Sequence, residues 1–224
     1  MITFAVTKFN MAKAKQILSV LVVTFLLGGL PGISYYYLTQ GFAYRKAAFE
    51  TQGDFGKMPD LRLMTTVRGK HPEKYRGAMM VVSWLDSTKP AAVKQYGTML
   101  DSLYTQFKDS PNLYFSTITK GENAAATAIE FAETYNLPDD EMISFLTLDD
   151  VAFAQSARDF QLPLSGGNTP GEVPIVALVD SSLTIVKHYD LGSRDETIGL
   201  VQLISVIIPL PTRLDLVLDR AKEL

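Results

Sequence analysis

The stretch AMMVVSWL, residues 78–85, constrains this chain more than any other segment. Apart from Ser83 its side chains are apolar at odd and even positions alike, so as a β-strand it presents nonpolar groups to both faces of a sheet. Such a strand belongs in the middle of a sheet covered on both sides, which argues for an α/β layer structure. The residues after it fit that layering. Pro90 suits the first turn of a helix, and Val93, Tyr96, Leu100, Leu103, Tyr104 and Phe107 recur at three- and four-residue steps, forming one apolar helix face.

The alternation continues along the chain. NLYFSTIT (112–119) reads as a strand, and ENAAATAIEFAETYNL (122–137) as a helix ended by Pro138. MISFLT and DDVAFAQSARDFQL give a short strand and a helix capped by Asp149 or Asp150. After the loop PLSGGNTPGEV, the segments PIVALVD and TIVKHYD flank Ser181, Ser182 and Leu183 as an antiparallel hairpin. Ser193 and Glu196 form a capping-box pattern before a last helix that stops at Pro209. Strand, helix, strand, helix implies parallel pairing with right-handed crossovers.

Ahead of this domain, Ile17 to Leu38 (ILSVLVVTFLLGGLPGISYYYL) runs for about 22 residues without a charge, enough to cross a hydrocarbon core of roughly 30 Å. Tyr35, Tyr36 and Tyr37 at its end suit an interfacial aromatic belt better than a peptidase site, so an uncleaved anchor is expected. Lys8, Lys13 and Lys15 precede the span and Arg45 and Lys46 follow it, a bias that places the N-terminus inside. Pro31 among Gly28, Gly29 and Gly32 is expected to kink the helix. The boundaries expected from these readings are a cytoplasmic segment 1–16, a transmembrane helix 17–38, a glycine-containing linker 39–58, an α/β domain 59–208 and an amphiphilic tail 209–224.

Composition removes several function classes. The 224 residues carry a net charge of -3 with bases and acids interspersed, which gives no positive field for DNA or RNA. There are no cysteines, so disulfides, thiol catalysis, thiolate metal sites and a lipoprotein cysteine anchor are all excluded.

Over about residues 59–208 the order of elements resembles the thioredoxin fold in its peroxiredoxin-like, Sco/SenC version. LRLMTTVRGKHPEKYRGAMMVVSWL is similar to that family's opening hairpin and core strand, and LYFSTITKGENAAATAIEFAETYNL to its next strand and helix. ISFLTLDDVAFAQSARDFQLP resembles its inserted strand and helix, and VPIVALVDSSLTIVKHYDLGS its closing hairpin. The resemblance implies a tether on the outer side of a respiratory membrane and a part in building the copper centre of cytochrome c oxidase. It also implies a C-x-x-x-C in the turn after the core strand and a histidine before the closing hairpin.

Both are missing. The turn is SWLDSTKPAAV, with Ser87, Thr88 and Lys89 near the thiol positions, and Glu172, Val173 and Pro174 stand where the histidine is expected. Hydroxyls neither bind soft copper(I) nor carry a two-electron couple. His71 and His188, isolated from each other, make a poor metal site; Met79, Met80 and Met99 read as core filling. Asp139, Asp140, Glu141, Asp149 and Asp150 read as solvated acids and caps around helix ends, and Ser165 to Asn168 lacks the helix and lysine of a phosphate loop.

The sequence therefore leads us to expect no catalytic residue, no cofactor, no metal and no enzyme. A remnant protein-binding surface is expected around Trp84, Asp86, Lys89 and Pro174, with a cis peptide bond plausible before Pro174. The expected role is that of a non-catalytic, single-pass inner-membrane protein with its domain on the outer side. It would contact respiratory-complex subunits as an accessory subunit or assembly factor of an oxidase. Two alternatives stand beside it: an envelope chaperone that holds peptides at Trp84 and Pro174, and a copper or redox protein that borrows a partner's ligands.

Overall fold

The computed structural model describes residues 16–70, 75–110, 112–121 and 123–208. The expected cytoplasmic segment, apart from Gln16, the tail 209–224 and His71 lie outside the described residues. The chain divides into two units, Met1–Thr51 and Gln52–Leu224.

The first unit is helical throughout its described length: α1 (16–24), a π turn Phe25–Gly29 and α2 (Leu30–Glu50). The stretch Gln16–Ala43 is long and apolar enough to cross a membrane. Pro31 has no N–H to offer the preceding turn, and next to it the Leu30 N–H reaches back to the Phe25 carbonyl, the wider spacing of a π turn. The Thr39 hydroxyl returns to the carbonyls of Tyr35 and Tyr36 at 3.0 and 2.9 Å. The helix runs on through Glu50, well into the span read from its glycines as linker.

The second unit is built on a six-stranded sheet: β1 (Thr65–Arg68), β2 (Met79–Leu85), β3 (Leu113–Lys120), β4 (Ile143–Leu148), β5 (Ile175–Val179) and β6 (Ile185–Asp190). The spatial order is β1-β4-β3-β2-β5-β6. β2, β3 and β4 run parallel, while β5 is antiparallel to β2 and to β6. β2 is buried at every position, as its unbroken apolar run requires.

Consecutive residues of β2 show how both faces are covered. Ser83 meets Tyr96 of α3 (Pro90–Phe107), whereas Trp84 points the other way to Ser156 of α5 (Asp150–Asp159). α4 (Ala124–Thr134) packs on the α3 side, where Phe131 stacks on Tyr96 and meets Phe145 edge-on. α6 (Arg194–Ile207) packs against β6 and places Gly199 over the Tyr189 ring. α4 and α5 end alike: Asn136 and Gln161 take positive φ, and the Leu137 and Leu162 N–H groups return to the Ala132 and Ala157 carbonyls.

Four local features differ from the sequence reading. No opening hairpin joins β1 to β2; β1 lies at the far edge, antiparallel to β4. Gly69 explains the placement, because at φ +75° it sits so close to Ile143 that an added Cβ would come within 2.0 Å of that carbonyl oxygen. Leu61–Leu63 forms a 3-10 turn capped by Asp60. Residues 53–58, expected to be linker, run beside β6 with hydrogen bonds from Gly53 to Val186, Phe55 to Ile185 and Met58 to Leu183. They cover an edge that would otherwise offer free backbone groups. Glu196 takes the Asp190 N–H at 2.5 Å, and Ser193 accepts from the Glu196 N–H at 3.4 Å, so the capping box is only half formed.

Candidate functional site

The carboxyl end of β2 turns at Asp86–Lys89 into α3. The turn closes through the Lys89 N–H on the Asp86 carbonyl at 3.0 Å, and Pro90 opens the helix. Asp86 is only 1% exposed. Its Oδ1 accepts from the Thr88 N–H at 3.0 Å and the Thr88 hydroxyl at 2.7 Å, and its Oδ2 lies 2.8 Å from the Lys120 ammonium. Lys120 ends β3, and the parallel register that pairs Leu85 with Thr119 sets it beside Asp86. Burial by itself pushes the Asp86 carboxyl up. Hydrogen bonds from Lys120 and Thr88 outweigh it and hold the group below the usual carboxylate range.

The loop before β5 closes over this turn. Gly171, at φ +79°, presses on Asp86 so tightly that an added Cβ would stand 2.8 Å from the Asp86 backbone nitrogen. Next to it, Glu172 Oε1 accepts from the Lys89 ammonium at 2.7 Å, and Oε2 accepts from the Thr169 N–H at 3.0 Å. The Lys89 hydrogen bond, with help from Thr169, holds the Glu172 carboxyl low, and the same bond raises Lys89.

The four residues expected to make a protein-binding surface fall differently. Trp84 is 3% exposed, donates from its indole nitrogen to Ser156 at 2.9 Å and meets the Phe160 ring edge-on at 5.1 Å. Asp86 and Pro174 are buried, and the Val173–Pro174 bond is trans. Lys89 alone of the four reaches solvent, so the outward face here consists of Ser87, Thr88, Lys89 and Glu172. Lys120, Glu172 and Gly171, which define the closed geometry, carry no local sequence signal. Lys120 becomes predictable only once β2 and β3 are paired in parallel.

This arrangement offers little chemistry. The carboxylate nearest the Ser87 and Thr88 hydroxyls is tied to a lysine, so it is a poor base for activating them. Tyr96, buried under the turn, hydrogen-bonds Ser83 and, at 2.6 Å, Thr117; burial pushes its phenol up to about 12. His188 sits apart, hydrogen-bonded to the Phe160 carbonyl at 2.8 Å with the Phe55 ring edge-on. Burial lowers its pKa against the opposing pull of that carbonyl. Asp149 caps α5 through the Ala152 N–H, and Asp140 accepts from the Tyr104 hydroxyl and the Met142 N–H. Among the described residues no three His, Asp or Glu side chains group as metal ligands.

A cleft of about 260 Å³ adjoins the turn, lined by Leu85, Ser87, Val93, Phe131, Thr134 and Tyr135 among others. A wider one of about 760 Å³ opens at the ends of β3 and β4, beside Gly121, Leu148 and Asp149.

The fold is thioredoxin-like. BsSco, a member of the Sco family of cytochrome c oxidase assembly proteins, superposes with a TM-score of 0.51 at 13% identity, over 69% of this chain and 96% of that one. A SCO1/SenC family lipoprotein from Bacillus anthracis str. Ames gives 0.48 at 14% identity, over 59% and 83%. A thioredoxin family thiol:disulfide interchange protein from Chlorobium tepidum TLS gives 0.43 at 14% identity, over 69% and 99%. At such identities the likeness is one of fold. No family model and no curated protein matches the sequence.

Proposed function

We propose that this chain is a membrane-anchored, Sco-like protein that works without turnover, through contacts with the subunits of a respiratory oxidase as an accessory subunit or assembly factor. The observation that carries this reading is the turn at Asp86–Lys89. Where a thioredoxin-type protein keeps reactive thiols, this one has two hydroxyls and a lysine, closed by the Asp86–Lys120 and Lys89–Glu172 ion pairs. The whole chain contains no cysteine to replace them. The helix Gln16–Ala43 supplies an anchor of suitable length, and the lysines ahead of it favour a domain on the outer side. The link to an oxidase rests on the resemblance to Sco proteins. Burial of Trp84 and Pro174 counts against the peptide-holding alternative, since neither is free to receive a chain.

Gene deletion with copper supplementation tests the reading. Loss of assembled oxidase that added copper salt fails to restore is the expected result. Full restoration by copper would overturn it and assign a part in metal supply.

A further inference from the structure

We propose that the loop 169–174 is an electrostatic latch over the turn at Asp86–Lys89, closed by the Lys89–Glu172 ion pair and seated on the buried Asp86 carboxylate. Its position then answers to ionic strength and to charged partners. The inference concerns the mechanics of this edge and stands whether or not the chain serves an oxidase.

The two ion pairs differ in setting. Lys89 and Glu172 are each about one-third exposed, at 36% and 35% of the side chain, so salt reaches them. Asp86, 1% exposed beneath Gly171, is shielded from salt by the loop itself. The outer pair is thus the part that yields first, and the Asp86 carboxylate is what becomes uncovered when it does.

Backbone bonds tie the loop's shape to the same carboxylate. Glu172 draws in the Thr169 N–H with Oε2, while its own N–H returns to the Thr169 carbonyl at 3.1 Å. A single side chain therefore both folds the loop on itself and fastens it to the turn ahead of α3. Past Pro174 the restraint changes: its carbonyl accepts from the Leu191 N–H at 3.0 Å, and β5 enters the sheet at Ile175. The movable part ends there. When it lifts, it uncovers the Asp86 carboxylate beside the part-exposed Lys120 ammonium at the carboxyl end of the central strands.

Amide hydrogen exchange on the full-length protein in detergent tests this, read residue by residue at 20 mM and 500 mM sodium chloride. High salt, or Glu172→Gln at low salt, is expected to speed exchange at Thr169 and Glu172 by about two- to fivefold, the scale of an exposed ion pair. Amides of β2 and β3 should be unchanged. The reciprocal swap, Lys89→Glu with Glu172→Lys, restores the ion pair and should return exchange at residue 172 toward the native rate, while Thr169, whose N–H loses its carboxylate acceptor, stays fast. Gly171→Ala, which forces a Cβ against Asp86, should hold the latch open at both salt concentrations. Exchange at Thr169 and Glu172 that ignores salt in the native chain would overturn the proposal, and that measurement needs no variant to fold. Loss of protection spreading equally through β2 and β3 would overturn it too, because the loop would then not move independently of the sheet.

Discussion

The Lys89 ammonium stands 2.7 Å from Glu172 and so joins the turn after β2 to the loop before β5, two segments far apart in the chain. Directly beneath, Asp86 and Lys120 make a second pair at 2.8 Å, its carboxylate nearly shut off from water. Opposite charges thus hold together this edge at the carboxyl end of β2 and β3. A buried pair of this kind is costly to break from one side only, since the surviving charge loses its partner.

Asp86→Asn should therefore destabilise the domain. The amide keeps an acceptor for Thr88 but leaves Lys120 unneutralised, and because Lys120 is 29% exposed the loss should stay near ~2 kcal/mol. Denaturant unfolding of the two proteins side by side measures it. The sign with pH is fixed: Asp86 is held below its unfolded value, so its contribution is present above about pH 4 and fades as acid protonates the folded state. The variant should lose that part of the acid dependence.

His188 gives a second pH signature. Burial keeps its folded pKa below the ordinary value, so the unfolded chain takes up a proton first as pH falls from about 6.5. Stability is complete above that point and declines below it until the folded imidazole also titrates. His188→Gln should flatten the slope of melting temperature below about pH 6.5; an unchanged slope would place the titration elsewhere.

Gly69→Ala should cost at least about 2 kcal/mol, combining a positive φ with a Cβ driven onto the Ile143 carbonyl. The loss should concentrate at β1, seen as faster amide exchange at the Thr65–Arg68 strand than at β3.

Tyr96→Phe removes the hydroxyl that bonds Ser83 and Thr117 in the interior while keeping the stack on Phe131. Ser83 and Thr117 still have each other at 3.2 Å, so a destabilisation of about 1–2 kcal/mol is expected by calorimetry.

Much of this architecture was legible in the sequence because it follows from periodicity and caps. The unbroken apolar run of β2, the helix face of α3, the Asp149 cap and the β5–β6 hairpin are local patterns, and each forms as read. What escaped depends on contacts between distant segments. The glycines at 53 and 56 resemble a linker until Val186 and Ile185 of β6 come alongside. β1 looks like half of a hairpin until Gly69 lets it lie against β4. The missing thiols could be read at Ser87–Lys89, but not what closes the turn, because Lys120 and Glu172 reach it only through strand register and loop packing. Trp84 looked like surface by its place before the turn; the insertion carrying α5 covers it with Phe160 and Ser156.

The central claim is that this chain acts by docking to a respiratory complex. The most direct measurement is purification of the tagged protein at native expression level in mild detergent, with subunit stoichiometry by mass spectrometry and a haem spectrum of the same eluate. Co-purification of oxidase subunits in fixed proportion, together with haem absorbance, is the expected result. Recovery of the protein alone, or with many unrelated envelope proteins and no haem, would contradict it.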